Sequence, residues 1–380
     1  MINILVCTVG TSLFKPNMMG LKQRLDDGIV EDLYRPAAEA YSRSNYSVLG
    51  RALFELDGQN RTCGAEINSI DSMFRLEQIN QETKLFFLHS DTDFGRDIAQ
   101  VLSSYYGKRS ESRQIDGLQD ANPREFRTKG LRNLAKQMCK ILIDNKYAKC
   151  GINATGGYKA QIAVATILGQ ALGVPVYYKH EYFDDVIEFP PMPVALDYEL
   201  WMRTSGLLFD LSRTSDCIPQ EDYREILDGD ERVESFIERV HIDGQNYIEI
   251  SPVGVIFQET FKDRFKSEQD QVLPPPVMRS QKAASVWEDS GSMRSHPEIM
   301  DRMNNITSEL AFVKRCYTWY FNPDLSSRNY FRIGSKGIEG IISDGTYTAK
   351  FGVDTSAITD GQKNAAVAAL NAWLENAKQA

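Results

Sequence analysis

An unbroken apolar run at 3–9 (NILVCTV) stops at Gly10 and passes straight into Thr11 and Ser12. Apolar residues that do not alternate with polar ones mark a strand buried on both faces, as in a parallel sheet. A second run, at 85–88 (LFFL), ends in His89, Ser90, Asp91 and Thr92. A third, at 147–154, leads into Thr155, Gly156, Gly157, Tyr158 and Lys159, and a helix rich in Ala and Leu follows at 160–173, ending on Gly173. The stretch at 174–179 (VPVYYK) reads as the last central strand. Between these runs the apolar spacing is helical, at 31–43, 46–57, 67–79, 95–106 and 122–145, with one weaker strand near 114–117. Strand alternating with helix over 1–195 predicts an α/β fold, a Rossmann-like doubly wound sheet.

The pattern changes at Leu196. Helices are expected at 197–211, 220–227 and 232–240, and short strands at 242–250 turn at Asp243 and Gly244. A helix over 253–265 then opens with Ser251 as N-cap and Pro252 at its first position. Helix, helix, hairpin, helix is a winged-helix-like order for 196–265. Residues 266–295, with three successive prolines at 274–276, read as a semi-rigid linker. The last part, 296–380, reads as a small α+β unit: helix 296–311, strands 314–321, 328–333, 337–342 and 346–353, and helix 362–378.

Composition narrows the function classes. The 380 residues suffice for two or three domains, and 42% hydrophobic with 25% charged residues is ordinary for a globular chain. A net charge of -9 excludes a general nucleic-acid binder, so any such contact needs a local basic patch. Acid crowds the middle segment (Glu221, Asp222, Glu225, Asp228, Asp230, Glu231, Glu234, Glu238), which speaks against duplex DNA binding by the winged helix. The six cysteines form no CxxC pair, so no zinc or redox motif is expected. With no signal-peptide pattern and no long apolar span, a cytoplasmic protein without a membrane partner is expected.

Two places carry candidate chemistry. Strand ends that are small and polar (Thr8, Gly10, Thr11, Ser12; Ser90, Asp91; Asn153, Thr155, Gly156, Gly157, Lys159) lie where a doubly wound sheet binds its ligand. A glycine turn at a helix start aims backbone N–H groups outward, and Lys159 adds a cation, so a phosphate is the expected ligand. No GxGxxG follows the first strand, which argues against a standard dinucleotide site. In 296–380, Lys314, Arg315, Arg328, Arg332, Lys336 and Lys350 interleave with Tyr317, Trp319, Tyr320, Tyr330, Phe331 and Tyr347. Cations for phosphates and rings for stacking suit single-stranded RNA. Arg328, Tyr330 and Arg332, two apart, are expected on one face.

The pairing of Thr8-Val9-Gly10-Thr11-Ser12 with the Asn153 to Lys159 motif NATGGYK resembles the CARF domains of type III CRISPR-associated effectors, over about 1–195. The resemblance implies a homodimer binding cyclic oligoadenylate, with cyclic tetra-adenylate as the activator and no other cofactor. Residues 296–380 lack the Arg-to-His pair of HEPN ribonucleases, the metal-binding triplet of PD-(D/E)xK nucleases and the clusters of zinc deaminases. They resemble RelE-type toxins, metal-free ribonucleases that cleave mRNA on the ribosome by attack of the ribose 2′-OH on its own phosphate. That resemblance implies catalytic roles for Arg328, Arg332, Lys336, Lys350 and, more weakly, Arg315, with Tyr330 and Tyr347 stacking on a base. It leaves the general base open. The chain as a whole resembles CARF–RelE fusion mRNA interferases. A ring nuclease acting in the CARF pocket and a ligand-responsive DNA-binding regulator stay as alternatives.

Overall fold

The computed structural model describes residues 1–214, 216–288 and 294–376. Residues 289–293 of the expected linker and 377–378 of the expected closing helix lie outside the described residues. The chain divides into two compact units, 1–195 with 251–256, and 196–250 with 257–380.

In the first unit, β1 (Ile4–Thr8), β2 (Lys84–Ser90), β3 (Ser110–Ile115), β4 (Cys150–Asn153), β5 (Val176–Tyr178) and β6 (Ile187–Phe189) form one sheet in the order β3-β2-β1-β4-β5-β6. Neighbours from β3 to β5 are parallel, and β6 closes the edge antiparallel to β5. The apolar run of β1 is buried at every position, which is why it lies at the centre. The helices are α1 (Met19–Asp26), α2 (Arg35–Ser42), α3 (Tyr46–Phe54), α4 (Gly64–Arg75), α5 (Asp93–Tyr106), α6 (Pro123–Glu125), α7 (Leu131–Asp144) and α8 (Lys159–Leu172). Helix α1 and strand β6 have no counterpart in the sequence reading. The long helix expected at 122–145 runs unbroken from Pro123 to Asp144 as α6, one wider turn at Phe126–Gly130, and α7. Strand progression reverses between β1 and β4, so a crevice opens beyond their carboxyl ends.

The second unit holds α9 (Tyr198–Arg213), β7 (Ile218–Pro219), α10 (Arg224–Gly229), β8 (Ile237–Ile242), β9 (Gln245–Ile250), most of α11 (Pro252–Val272), α12 (Pro297–Glu309), β10 (Val313–Asn322), β11 (Tyr330–Gly334), β12 (Gly337–Ile342), β13 (Thr348–Thr355) and α13 (Asp360–Asn376). Residues 232–240 are not the expected helix. A 3-10 turn at Glu231–Phe236 gives way to β8, which pairs with β9 through Asp243 and Gly244, both at positive φ. The linker is also corrected. Helix α11 continues to Val272, and the following backbone docks along β10: Ala283 N donates to Lys314 O, Val286 N to Cys316 O, and Thr318 N to Val286 O.

The antiparallel sheet β10-β13-β12-β11 has one apolar face, with Phe331, Ala349, Phe351 and Val353 buried. Five cysteines are buried, Cys217 is half-buried, and none is in a disulfide. Among the described residues no group of His, Cys, Asp and Glu is placed to hold a metal, and no helix is long and apolar enough to cross a membrane.

Candidate functional site

The two glycine turns meet. A Cβ built on Gly10 would stand 2.5 Å from Gly157 N, so only glycine lets the turn after β1 lie against the turn after β4. Thr8, fully buried, donates its hydroxyl to Gly156 O at 2.5 Å and ties the turns together. Asn153 Oδ1 accepts from both the amide and the hydroxyl of Thr155, at 3.2 and 2.7 Å, and the Thr155 hydroxyl in turn accepts Lys179 N at 3.0 Å. Asn153 Nδ2 donates to Ser69 of α4 at 2.8 Å. Thus Thr8, Asn153 and Thr155 shape the crevice and spend their polar groups on the protein. Ser12 does the same: its hydroxyl accepts the Ala65 amide at the start of α4, at 3.1 Å.

At the surface of the second turn, Gly157, Lys159 and Thr11 are exposed, while Gly156 is buried beneath them. Gly157, at φ +100°, and Gly156 have amides with no hydrogen bond among the described residues. Lys159 opens α8, is exposed, and has no ion-pair partner among the described residues. Thr11 is exposed beside them. Ser90 and Asp91, at the end of β2, stand apart. The Ser90 hydroxyl is paired with that of Thr92 at 2.8 Å, and Asp91 accepts from Gln114 at 2.7 Å and from Gly117 N at 3.3 Å. Asp91 is therefore held toward β3, and its charge is not offered to the crevice.

The sequence reading missed the buried polar floor. Glu66, in the first turn of α4, accepts Gly10 N at 2.6 Å. Gln161 of α8 accepts the Tyr158 amide at 3.0 Å. Glu66 Oε2 and Gln161 Nε2 are both buried without a partner among the described residues. At the end of β5 a cavity of about 290 Å³ is lined by Gln59, Arg61, Asn68, Arg75, Lys179 and Tyr182. Lys179 there donates to Gln59 at 2.8 Å and to the Asp184 carbonyl. Burial pulls its ammonium below the usual lysine value, against the pull of Asp185 and Asp184.

In the second unit the expected cations do share a face. The Arg328 and Arg332 guanidiniums lie 6.0 and 5.9 Å from the Tyr330 ring. They are not free, however. Arg328 makes a two-point pair with the buried Asp210 of α9, at 2.8 and 3.0 Å. Burial works against its charge, and the Asp210 bond more than offsets that, so it is held protonated. Arg332 donates to Glu339 of β12 and to the Asp222 carbonyl, both at 2.5 Å. Arg315 is paired with Asp354 at 2.8 Å. Two expectations are corrected outright. Tyr330 and Tyr347 are 3% and 2% exposed, and Tyr347 donates to Glu298, so neither ring is open to a base.

Trp319 is half-buried, as are Tyr317 and Tyr320 of the same strand. The Lys336 and Lys350 ammoniums sit 4.6 and 6.0 Å from the Trp319 centroid, and neither has a carboxylate partner among the described residues. Trp319, Arg332, Glu339 and Lys350 line one side of a cleft of about 450 Å³ whose other side carries Glu221, Asp222, Glu225 and Asp228. Burial pushes the Asp222 carboxyl up, opposed by Arg332 and Arg328. The cleft can orient a phosphate on Lys350 and stack a base on Trp319, with Lys336 on the same ring; Glu339, which the sequence reading overlooked, lines it while paired to Arg332.

Residues 61–192 match the model of a family described as CRISPR-associated protein (Cas_APE2256). The matched stretch holds Glu66, Asn153, the second glycine turn, Lys159 and Lys179; it stops before the second unit. The chain is similar to a CRISPR-associated protein over that stretch.

Proposed function

We propose that the protein is a CRISPR defence effector in which cyclic oligoadenylate, held in the crevice of a CARF-type first unit, switches on ribosome-dependent cleavage of mRNA by the second unit. The meeting of the two glycine turns, the second of which lies in a segment similar to a CRISPR-associated family, carries the reading. Unbonded backbone amides in this turn, with Gly157 exposed beside Lys159, suit a phosphodiester. A cyclic ligand with an even number of units matches the two-fold axis of a homodimer, which would bring two such sites to one ring. In the second unit, Lys336, Lys350 and Trp319 would position the RNA. The 2′-oxygen attacks the adjacent phosphorus as the bond to the 5′-oxygen breaks, and nearby cations offset the charge that develops on phosphorus.

The test is a purified system of translating ribosomes, the full chain and cyclic tetra-adenylate. Cleavage of mRNA is expected only when all three are present. Intact mRNA under that condition, with ligand binding verified, overturns the ribonuclease half; absence of ligand binding overturns the sensor half.

A further inference from the structure

Beneath the two turns lies a carboxyl group whose placement the ligand reading does not use. Glu66 is 2% exposed. Its Oε1 accepts the Gly10 amide and also packs on Gly156, where any Cβ would collide with it. Its Oε2 faces no partner among the described residues. A charged carboxylate is costly in such a place, because a buried ion needs several donors and this one has the Gly10 amide and the start of its own helix. Burial, which outweighs those two, pushes the Glu66 carboxyl above the usual range. Of the groups around it, β1 presents the Cys7 thiol, itself held protonated by burial, and the turns present backbone; no lysine, arginine or histidine among the described residues bonds or ion-pairs with it.

We infer that Glu66 is a proton-linked gate under the anion site. Protonated, it accepts the Gly10 amide, holds both turns in register and leaves the site neutral beneath. Ionised, it places a negative charge directly under Gly156, where the ligand phosphate must sit. Anion binding therefore takes up a proton at Glu66, and by linkage affinity is greatest at low pH and falls as pH rises through the titration of the free protein. This rests on the reading of the turns as a cyclic oligoadenylate site. Glu66 acts through Gly10 and Gly156, so it is a positioning residue.

The experiment is calorimetric binding of cyclic tetra-adenylate to the full chain from about pH 5.5 to about 8.5, in buffers of different ionisation heat. Wild type is expected to lose up to about tenfold in affinity per pH unit across the titration and to take up as much as about one proton per site. Glu66→Gln keeps an acceptor for Gly10 without the charge, so its profile should be flat and its affinity at the high end about tenfold or more above wild type. Zero proton uptake by wild type throughout, a measurement that needs no variant, sinks the gate, and so do equal slopes in the two proteins. In both cases binding itself is still seen and the ligand reading stands. No binding by either protein at any pH overturns the ligand reading together with the gate.

Discussion

Arg332 and Glu339 stand directly opposite each other on β11 and β12, with side chains 16% and 7% exposed. Breaking such a pair from one side leaves a buried charge, so Arg332→Ala should destabilise the chain by about 3–5 kcal/mol. Urea titration would show it, and lost cleavage in that variant would report unfolding as readily as catalysis. Lys336 and Lys350 lie over Trp319, and removing either should cost less than about 1 kcal/mol. Melting curves of Lys350→Ala are thus expected to overlay wild type while its affinity for single-stranded RNA drops; unchanged RNA affinity would clear Lys350 of the role.

Glu66 makes a second residue-scale prediction. Because its folded-state pKa is raised, its contribution to stability is fully present below the unfolded-state value and is lost as pH rises through the folded one. Glu66→Gln should raise the denaturation midpoint relative to wild type at pH above neutral and lose that advantage in acid. The glycines above Glu66 were legible in the sequence because a turn's backbone demand is local. Glu66 was not, since 56 residues separate it from Gly10. The cations were legible as a residue type, but not the pairing of Arg328 with Asp210, 118 residues before it.

At the scale of elements, an acidic segment from the 3-10 turn Gln220–Tyr223 to α10 faces the cationic side of the small sheet. Glu221, Glu225 and Asp228 stand across the cleft from Lys350 and Trp319, on ground that RNA phosphates would need. Changing the three to Gln, Gln and Asn should raise affinity for single-stranded RNA about tenfold at low salt, with the gain shrinking as salt rises. Filter binding over a salt series decides it, and unaltered affinity would show that the segment does not compete. Strand β8 is the element that periodicity misread. A two-residue turn fixes pairing symmetrically, so Asp243 and Gly244 require an arm before them as long as β9 after them. That rule points to 237–242 without tertiary information. The docking of 277–288 on β10 had no such signal, because proline content constrains local conformation and says nothing of which strand the backbone meets.

For the whole molecule, a net charge of -9 coexists with two cationic sites, one in each unit. If the proposed anionic ligands bind, position and not bulk attraction must select them. Lys159→Ala removes the exposed cation at the start of α8 and touches no ion pair among the described residues. It should abolish stimulation by cyclic tetra-adenylate without lowering the melting temperature, and a variant that still responds would shift the ligand elsewhere. The doubly wound half was readable from unbroken apolar runs, whereas the second unit draws on contacts between segments distant in sequence. The distribution of thiols provides a gauge of such rearrangements. Five of the six are sealed in the interior, and Cys217 sits partly open just ahead of β7 and the acidic segment. A maleimide probe should thus modify the native chain once and the denatured chain six times. Because the single native label lands at the foot of that segment, its fluorescence can register, in real time and without engineering, whether activator makes the segment lift from the sheet.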